Sequence, residues 1–430
     1  MTNREININV PVLVRVEGEG ALELHISGQQ IQNLKLRIYE PPRLFEKFLE
    51  GRDYFEVPDI VPRICGICPV AYQMSAVHAI EQIFQCNPGA WVRSMRRVIY
   101  CGEWIQSHSL HIHLLAAPDF VGYNSAVEMA RDYPDEVRRG LLLQSVGNDL
   151  MRLMGARSVH PVGVRVGGFS RAPSSADIVQ MLDKLHNALP HAEALIAWTA
   201  ALNLPKDNQI FDCVSLRHAN EYPMNEGRIV STADMDIDKA EFETHFQEFQ
   251  VPHSTALHAL SNGRPYLVGP LSRLNNNLDR LPAPVVEALN KSGISFPSFN
   301  MFHSIVARAA EIYFSLLEAI KLLQEAGTSD CPHVETQPGS GVGFGCTEAP
   351  RGLLWHRYEL NETGNVVSAK IVPPTSQNQA RIEEDLRTSL QNYGLDHSDD
   401  ELRLHGEKVI RNYDPCISCS THFLKLKVQR

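Results

Sequence analysis

Two Cys-x-x-Cys turns stand near opposite ends of this 430-residue chain. The first lies in Arg63-Ile64-Cys65-Gly66-Ile67-Cys68-Pro69, the second in Asp414-Pro415-Cys416-Ile417-Ser418-Cys419-Ser420-Thr421-His422. Each spacing lets one tight turn present two sulfurs to one metal, so the pair predicts a four-thiolate site. Such a site constrains the fold strongly, because the two ends of the chain must meet inside it. Structural zinc would use the same four thiolates, although zinc ribbons usually gather their ligands within a short span. A thioredoxin-type redox pair would need a βαβ setting, which the flanks do not show.

The remaining cysteines do not suggest a disulfide framework. Nine is an odd number in a large chain, and it fits thiols reserved for metal in a reducing compartment. The chain is 43% hydrophobic and 21% charged, a globular composition able to bury a large core. Its net charge of −10 argues against nucleic acid or an anionic membrane as the main partner. The start, Met1-Thr2-Asn3-Arg4-Glu5-Ile6-Asn7, has no apolar signal core, and no apolar run is long enough to predict a membrane span.

Residues 6–39 read as strands: Val10 to Val16, Leu22 to Ile26 and Gln30 to Tyr39, with Gly18, Gly20 and Gly28 at the turns. Glu17 sits where the first of these would end, by default an exposed turn carboxylate. From Arg43 the pattern is helical, with Leu44, Phe45, Phe48 and Leu49 on one face and Glu46 on the solvated side. Pro69 predicts the start of a helix. Long helices are expected over Trp91 to Ala117, much of Ala126 to Leu153, Ser174 to Leu202 and Phe302 to Ala326. His108, His111 and His113 on the first of these read as core or capping histidines. Residues 205–298 are less regular and read as a peripheral α+β elaboration. Gly339, Gly341, Gly343 and Gly345 do not form a dinucleotide fingerprint, and they suggest close backbone approach. A meander over Leu353 to Val372 and helices over Ala380 to Leu390 and Glu401 to Asn412 complete the chain. The fold class is therefore mainly α (α+β): a long-helix bundle with small peripheral sheets, in one domain spanning 1–430.

With both cysteine motifs and their flanks in view, the chain resembles the large subunit of nickel–iron hydrogenases along nearly its whole length. Arg15-Val16-Glu17-Gly18, Arg43-Leu44-Phe45-Glu46, Glu348-Ala349-Pro350-Arg351-Gly352 and Pro373-Pro374-Thr375 look like the family's intervening motifs. The details most resemble the cytoplasmic NAD(P)-linked and sulfhydrogenase group. The resemblance implies reversible heterolytic cleavage of H2 at a nickel–iron centre whose iron carries carbon monoxide and two cyanides. Cys65 and Cys416 would be terminal nickel ligands, and Cys68 and Cys419 would bridge nickel to iron. Cys416 would take the first proton and Glu17 the next. Arg351 would sit over the open metal position, paired with Asp414. Pro374 and Thr375 would contact the cyanides. Glu46, the carbonyl of Ile371 and His422 would hold a magnesium or similar ion.

The resemblance also implies partners. Apart from the four cysteines the chain has no iron–sulfur motif, so electrons would leave through an iron–sulfur small subunit. Diaphorase-type subunits carrying flavin and serving NAD(P), or a sulfur or polysulfide acceptor, would follow in a cytoplasmic heterotetramer. Two features depart from or extend the pattern. Tyr72 stands where many members have histidine, which alters a hydrogen bond to a bridging sulfur. Residues 423–430 form a tail of the kind the family removes after metal insertion. A hydrogen sensor on the same scaffold is the alternative function, disfavoured by that tail. Respiratory complex I relatives have lost the cysteines that all stand here.

Overall fold

The computed structural model describes residues 5–421. His422 and the tail 423–430 lie outside the described residues.

The helical layer is built around helix Gly89–Leu110, which packs on Pro134–Gly155 and on Ser304–Ala326. Ser304–Ala326 packs in turn on Ser175–Ala200. The first crossing is backbone against backbone. A Cβ at Gly102 would stand 2.9 Å from the Gly147 carbonyl, and one at Gly147 would stand 2.7 Å from that of Gly102. Ser174 caps Ser175–Ala200 with a reciprocal box to Asp177. Pro69 opens helix Pro69–Ile83, where its missing N–H would be unpaired in any case.

Two expected elements differ. The helix expected over Trp91 to Ala117 is α-helical only to Leu110, then π-helical over His111–Ala116. Pro118 has no N–H to continue the ladder, and the Leu115 carbonyl accepts from Arg15 Nη1 at 2.7 Å. The first strand is Glu5–Val10, not Val10 to Val16. Pro11 ends it, and Val12 and Val14 are more than half exposed. The connection 11–19 leaves the three-stranded sheet of Glu5–Val10, Gly20–Ser27 and Gln30–Ile38 and runs toward the last cysteine turn.

Helix Phe45–Leu49 buries only Leu49, and Phe48 is 51% exposed, so the expected apolar face is not covered. Residues 205–298 form a four-stranded sheet that includes Asp212–Arg217, a hairpin of Phe246–Gln250 with Leu257–Ser261, and helices Pro270–Asn277 and Ala283–Lys291. This region is not all peripheral. Arg273 on Pro270–Asn277 is fully buried among Glu311, Glu348 and the ring of Trp104.

The glycine run is itself a strand, Gly341–Ala349, the first of a three-stranded meander with Gly352–Leu360 and Val366–Val372. It lies directly on helix Pro69–Ile83. A Cβ at Gly345 would stand 1.8 Å from the Ser75 carbonyl, and one at Gly343 would stand 2.1 Å from that of Ala79. Two strand residues advance about 6.6 Å and four helix residues about 6.0 Å, so glycines two apart track carbonyls four apart. Helices Pro374–Tyr393 and Asp399–Asn412 then lead to the closing turn Ile417–Ser420. Among the described residues no helix is long and apolar enough to cross a membrane.

Candidate metal centre

The two cysteine turns meet. Cys65, Cys68, Cys416 and Cys419 place their sulfurs within 4.8 Å of one another. Cys65 and Cys416 are 3.4 Å apart and Cys68 and Cys419 are 3.9 Å apart. All four are at most 2% exposed, and none is in a disulfide. Within the first turn the amides of Ile67 and Cys68 point at Cys65 Sγ, at 3.4 and 3.2 Å.

The neighbouring helix holds this turn in place. Gln106 Nε2 donates to the Ile67 carbonyl at 2.7 Å. Glu103 accepts the amides of Val70 and Ala71 at 2.6 and 3.1 Å. A carboxylate there satisfies orphan N–H groups at the start of helix Pro69–Ile83. Arg43 joins the two turns to each other. Its Nη2 donates to the Ile64 carbonyl at 2.6 Å and to the Ser418 carbonyl, and its amide donates to the Thr421 carbonyl at 2.7 Å.

The second turn is seated by the 11–19 connection. Glu17 pairs with Cys416 in a parallel bridge, and its carbonyl accepts the Ile417 amide at 3.0 Å. Its side-chain Oε2 accepts the Ser418 amide at 3.1 Å. Gly18 is required here: its φ is +88°, and a Cβ would meet Ile417 Cβ at 2.6 Å. Thr375, near the start of helix Pro374–Tyr393, accepts the Cys416 amide at 3.0 Å, which leaves its hydroxyl proton free to donate. Pro374 is buried beside it.

Arg351 and Asp414 pair as expected. Arg351 Nη2 is 3.0 Å from Asp414 Oδ1, and Nε donates to the Asp414 carbonyl at 2.6 Å. Against the burial that would raise it, Arg351, His111 and Arg308 hold the Asp414 carboxyl below its ordinary value. Among the described residues, Arg351 Nη1 is buried without a hydrogen-bond partner. Burial pushes the thiols of Cys68, Cys416 and Cys419 up, whereas Cys65, facing the other sulfurs and Arg351, goes down despite its burial. A cation is what would hold four such sulfurs as thiolates. A soft donor set, an unpaired guanidinium N–H and an available hydroxyl fit a thiophilic metal group bearing small polar ligands.

The histidines of the long helix are core residues, as read. His111 Nε2 donates to the Arg411 carbonyl at 2.7 Å, and burial pushes its pKa down to about 3. His108 Nε2 is 2.9 Å from Glu311. Arg308 and Glu311, one turn apart, do not pair directly: Arg308 faces Asp414 and His108, while Glu311 binds Arg273, His108 and Tyr222. Tyr72 is buried, its hydroxyl without a hydrogen-bond partner among the described residues, and its ring is 5.6 Å from that of His356. Glu46 Oε1 accepts the Ile371 amide at 2.8 Å, so two of the three expected hard-ion residues are neighbours; the third, His422, lies outside the described residues. Sequence reasoning did not single out Arg43, Glu103, Gln106 or Arg308 for the site. The signal for Glu103 was a carboxylate inside the apolar run Tyr100 to Ile105.

The fold and the buried thiols define a large α+β subunit closed around a four-cysteine metal site. A family model described as nickel-dependent hydrogenase matches residues 43–139 and 262–422. Sulfhydrogenase 1 subunit alpha of Pyrococcus furiosus is 33% identical over 99% of this chain and its own full length. The NAD-reducing hydrogenase HoxS subunit beta of Cupriavidus necator is 27% identical over 96% of this chain and 94% of its own. The crystal structure of an NAD+-reducing [NiFe]-hydrogenase in the H2-reduced state superposes with a TM-score of 0.86 at 25% identity, covering 97% of this chain and 99% of that one. The fold is also that of the Ni-Fe-Se hydrogenase from Desulfovibrio vulgaris Hildenborough (TM-score 0.84, 22% identity, covering 97% of this chain and 100% of that one). The chain belongs to the nickel-dependent hydrogenase family, as a large subunit and an oxidoreductase acting on H2.

Proposed function

We propose that Cys65, Cys68, Cys416 and Cys419 would together hold a nickel–iron pair as its thiolate ligands. When bound, that group, its iron bearing carbon monoxide and two cyanides, supplies the heterolytic cleavage of H2. Glu17 receives the proton that leaves Cys416. It suits this because its backbone is bridged to Cys416 while its side chain, held at the Ser418 amide, is only half-buried. Arg351, fixed by Asp414, would supply a permanent positive charge close to the thiolates and to the group they hold. Thr375, whose hydroxyl accepts from the Cys416 amide, would donate to a cyanide of that group, with the buried Pro374 next to it in the chain. Glu46, Ile371 and His422 hold a hard divalent ion such as magnesium.

Electrons pass to an iron–sulfur small subunit and on, through flavin-bearing diaphorase-type subunits, to NAD(P) or to sulfur or polysulfide, in a cytoplasmic complex. The names of the relatives, sulfhydrogenase and NAD-reducing hydrogenase, support this group of acceptors.

The observation that carries the proposal is the meeting of four buried thiols, with sulfurs within 4.8 Å of one another, in a chain that also buries Arg351 Nη1 without a hydrogen-bond partner among the described residues. The test is infrared spectroscopy with elemental analysis on the protein purified with its partners. Nickel and iron, with carbon monoxide and cyanide stretches, are expected, and each Cys→Ser change at the four positions should abolish nickel retention. Zinc without those bands in active material would sink the proposal.

A further inference from the structure

A second cluster of ligating side chains lies outside the cysteine centre. His253 follows strand Phe246–Gln250, His258 lies on Leu257–Ser261, and Glu383 lies on helix Pro374–Tyr393. One ligand atom from each stands within 4.8 Å of the others. His253 Nε2 is 2.8 Å from Glu383 Oε1, and His258 Nε2 is 3.5 Å from Oε2. The two imidazoles thus address different oxygens of one carboxylate, and Oε1 is further fixed by the Leu36 amide at 2.9 Å.

His258 is 2% exposed, yet among the described residues neither of its ring nitrogens has a hydrogen-bond partner, Nε2 facing Glu383 only at 3.5 Å. A neutral imidazole carries one donor and one acceptor, and leaving both unmet in a buried place is unfavourable. A separation of 3.5 Å is long for a hydrogen bond. It is close to the roughly 3.4 Å that separates two ligands bound at about 2.0–2.1 Å to a tetrahedral ion.

We infer that His253, His258 and Glu383 bind a divalent first-row transition ion of the zinc class. Two imidazoles and one carboxylate suit a borderline ion and not magnesium or calcium, which prefer oxygen. The side chains of His253 and Glu383 are 19% and 21% exposed, so the ion has an entry path and water completes its shell. The ion straps the hairpin to the helix whose first turn presents Thr375 to Cys416. The site does not depend on what the four cysteines hold.

Cobalt(II) is the discriminating probe, because thiolate ligation adds sulfur-to-metal charge transfer and nitrogen–oxygen ligation does not. The complete purified complex, stripped with a mild chelator, is titrated with cobalt(II) and then with zinc(II). With magnesium kept in excess so that the proposed Glu46 site stays filled, a single equivalent with ligand-field bands, no charge transfer and displacement by zinc is expected. Zinc should also raise Tm, as an ion bound only by the folded state must. His258→Gln and Glu383→Gln should each weaken binding at least about ten-fold, or about 1.4 kcal/mol. Should either fail to fold, His253→Asn, at the more accessible ligand, carries the same expectation. Absence of a thiolate-free cobalt signal in the wild type, or wild-type affinity in the folded variants, overturns the site.

Discussion

A single missing proton-carrying atom separates two roles at Glu17. Gln there keeps the size and the bond to the Ser418 amide but cannot carry a proton. Glu17→Gln should therefore retain nickel and normal infrared bands, and fail in hydrogen oxidation, in proton reduction and in H/D exchange with water. Exchange at the wild-type rate would place the relay elsewhere. Arg351→Lys keeps the charge but loses the planar fork that grips both the carbonyl and the carboxylate of Asp414. Turnover should fall at least about ten-fold, about 1.4 kcal/mol on the barrier, with the cofactor bands intact. Near-normal turnover at full metal content would make Arg351 purely structural. The cysteines were legible because their spacing is local, and Asp414 because it lies two residues before one of them. Arg43 and Glu103 act through backbone carbonyls and amides of distant segments, a contact that no spacing encodes.

The alternating glycines matter more to the element than the glycine inside the first cysteine motif. Among the described residues, and its chain neighbours apart, Gly66 has no heavy atom within 4 Å of where a Cβ would stand, and its φ is not in the left-handed region. Gly66→Ala should leave Tm and nickel content nearly unchanged. Gly345→Ala would press a methyl against the Ser75 carbonyl of the helix that begins at Pro69. Overpacking of this kind costs about 1–3 kcal/mol where side chains can yield, and here the obstacle is backbone, so at least about 3 kcal/mol is expected. Thermal melts and nickel assays on both variants check the contrast, and a Gly345→Ala protein as stable as wild type would break it. The long helices were legible from apolar periodicity and from caps such as Ser174 and Pro69. The strand expected over Val10 to Val16 was not where its β-branched residues suggested, because that segment is drawn out of the sheet by pairing with Cys416. Tertiary pairing overrode local preference there.

Across the whole molecule, a buried ionic network ties the helical layer to the sheets. Arg273 sits between Glu311 and Glu348, all three fully buried, at 2.7 and 3.1 Å. Although burial works against it, Arg273 holds the Glu311 carboxyl down to about 2. A carboxylate so depressed contributes stability that is complete above its ordinary value near 4.5 and is lost as pH falls toward 2. Arg273→Met strands buried carboxylates without their partner, for a loss of about 3–5 kcal/mol. It should also flatten the acid limb of the stability–pH curve, and chemical denaturation over that range reads both effects. The same global view has a consequence in time. Cysteines that touch in the metal centre are 351 residues apart in the chain. At about 5–20 residues per second of synthesis, the first pair emerges roughly 20–70 s before the second. For that interval Cys65 and Cys68 are a two-thiol turn with no opposing wall, open to any thiophilic ion in the cell. The centre is thus a record of completion: only a chain that has been made to its last turn, and has laid that turn against Glu17 and Arg43, offers four sulfurs at once.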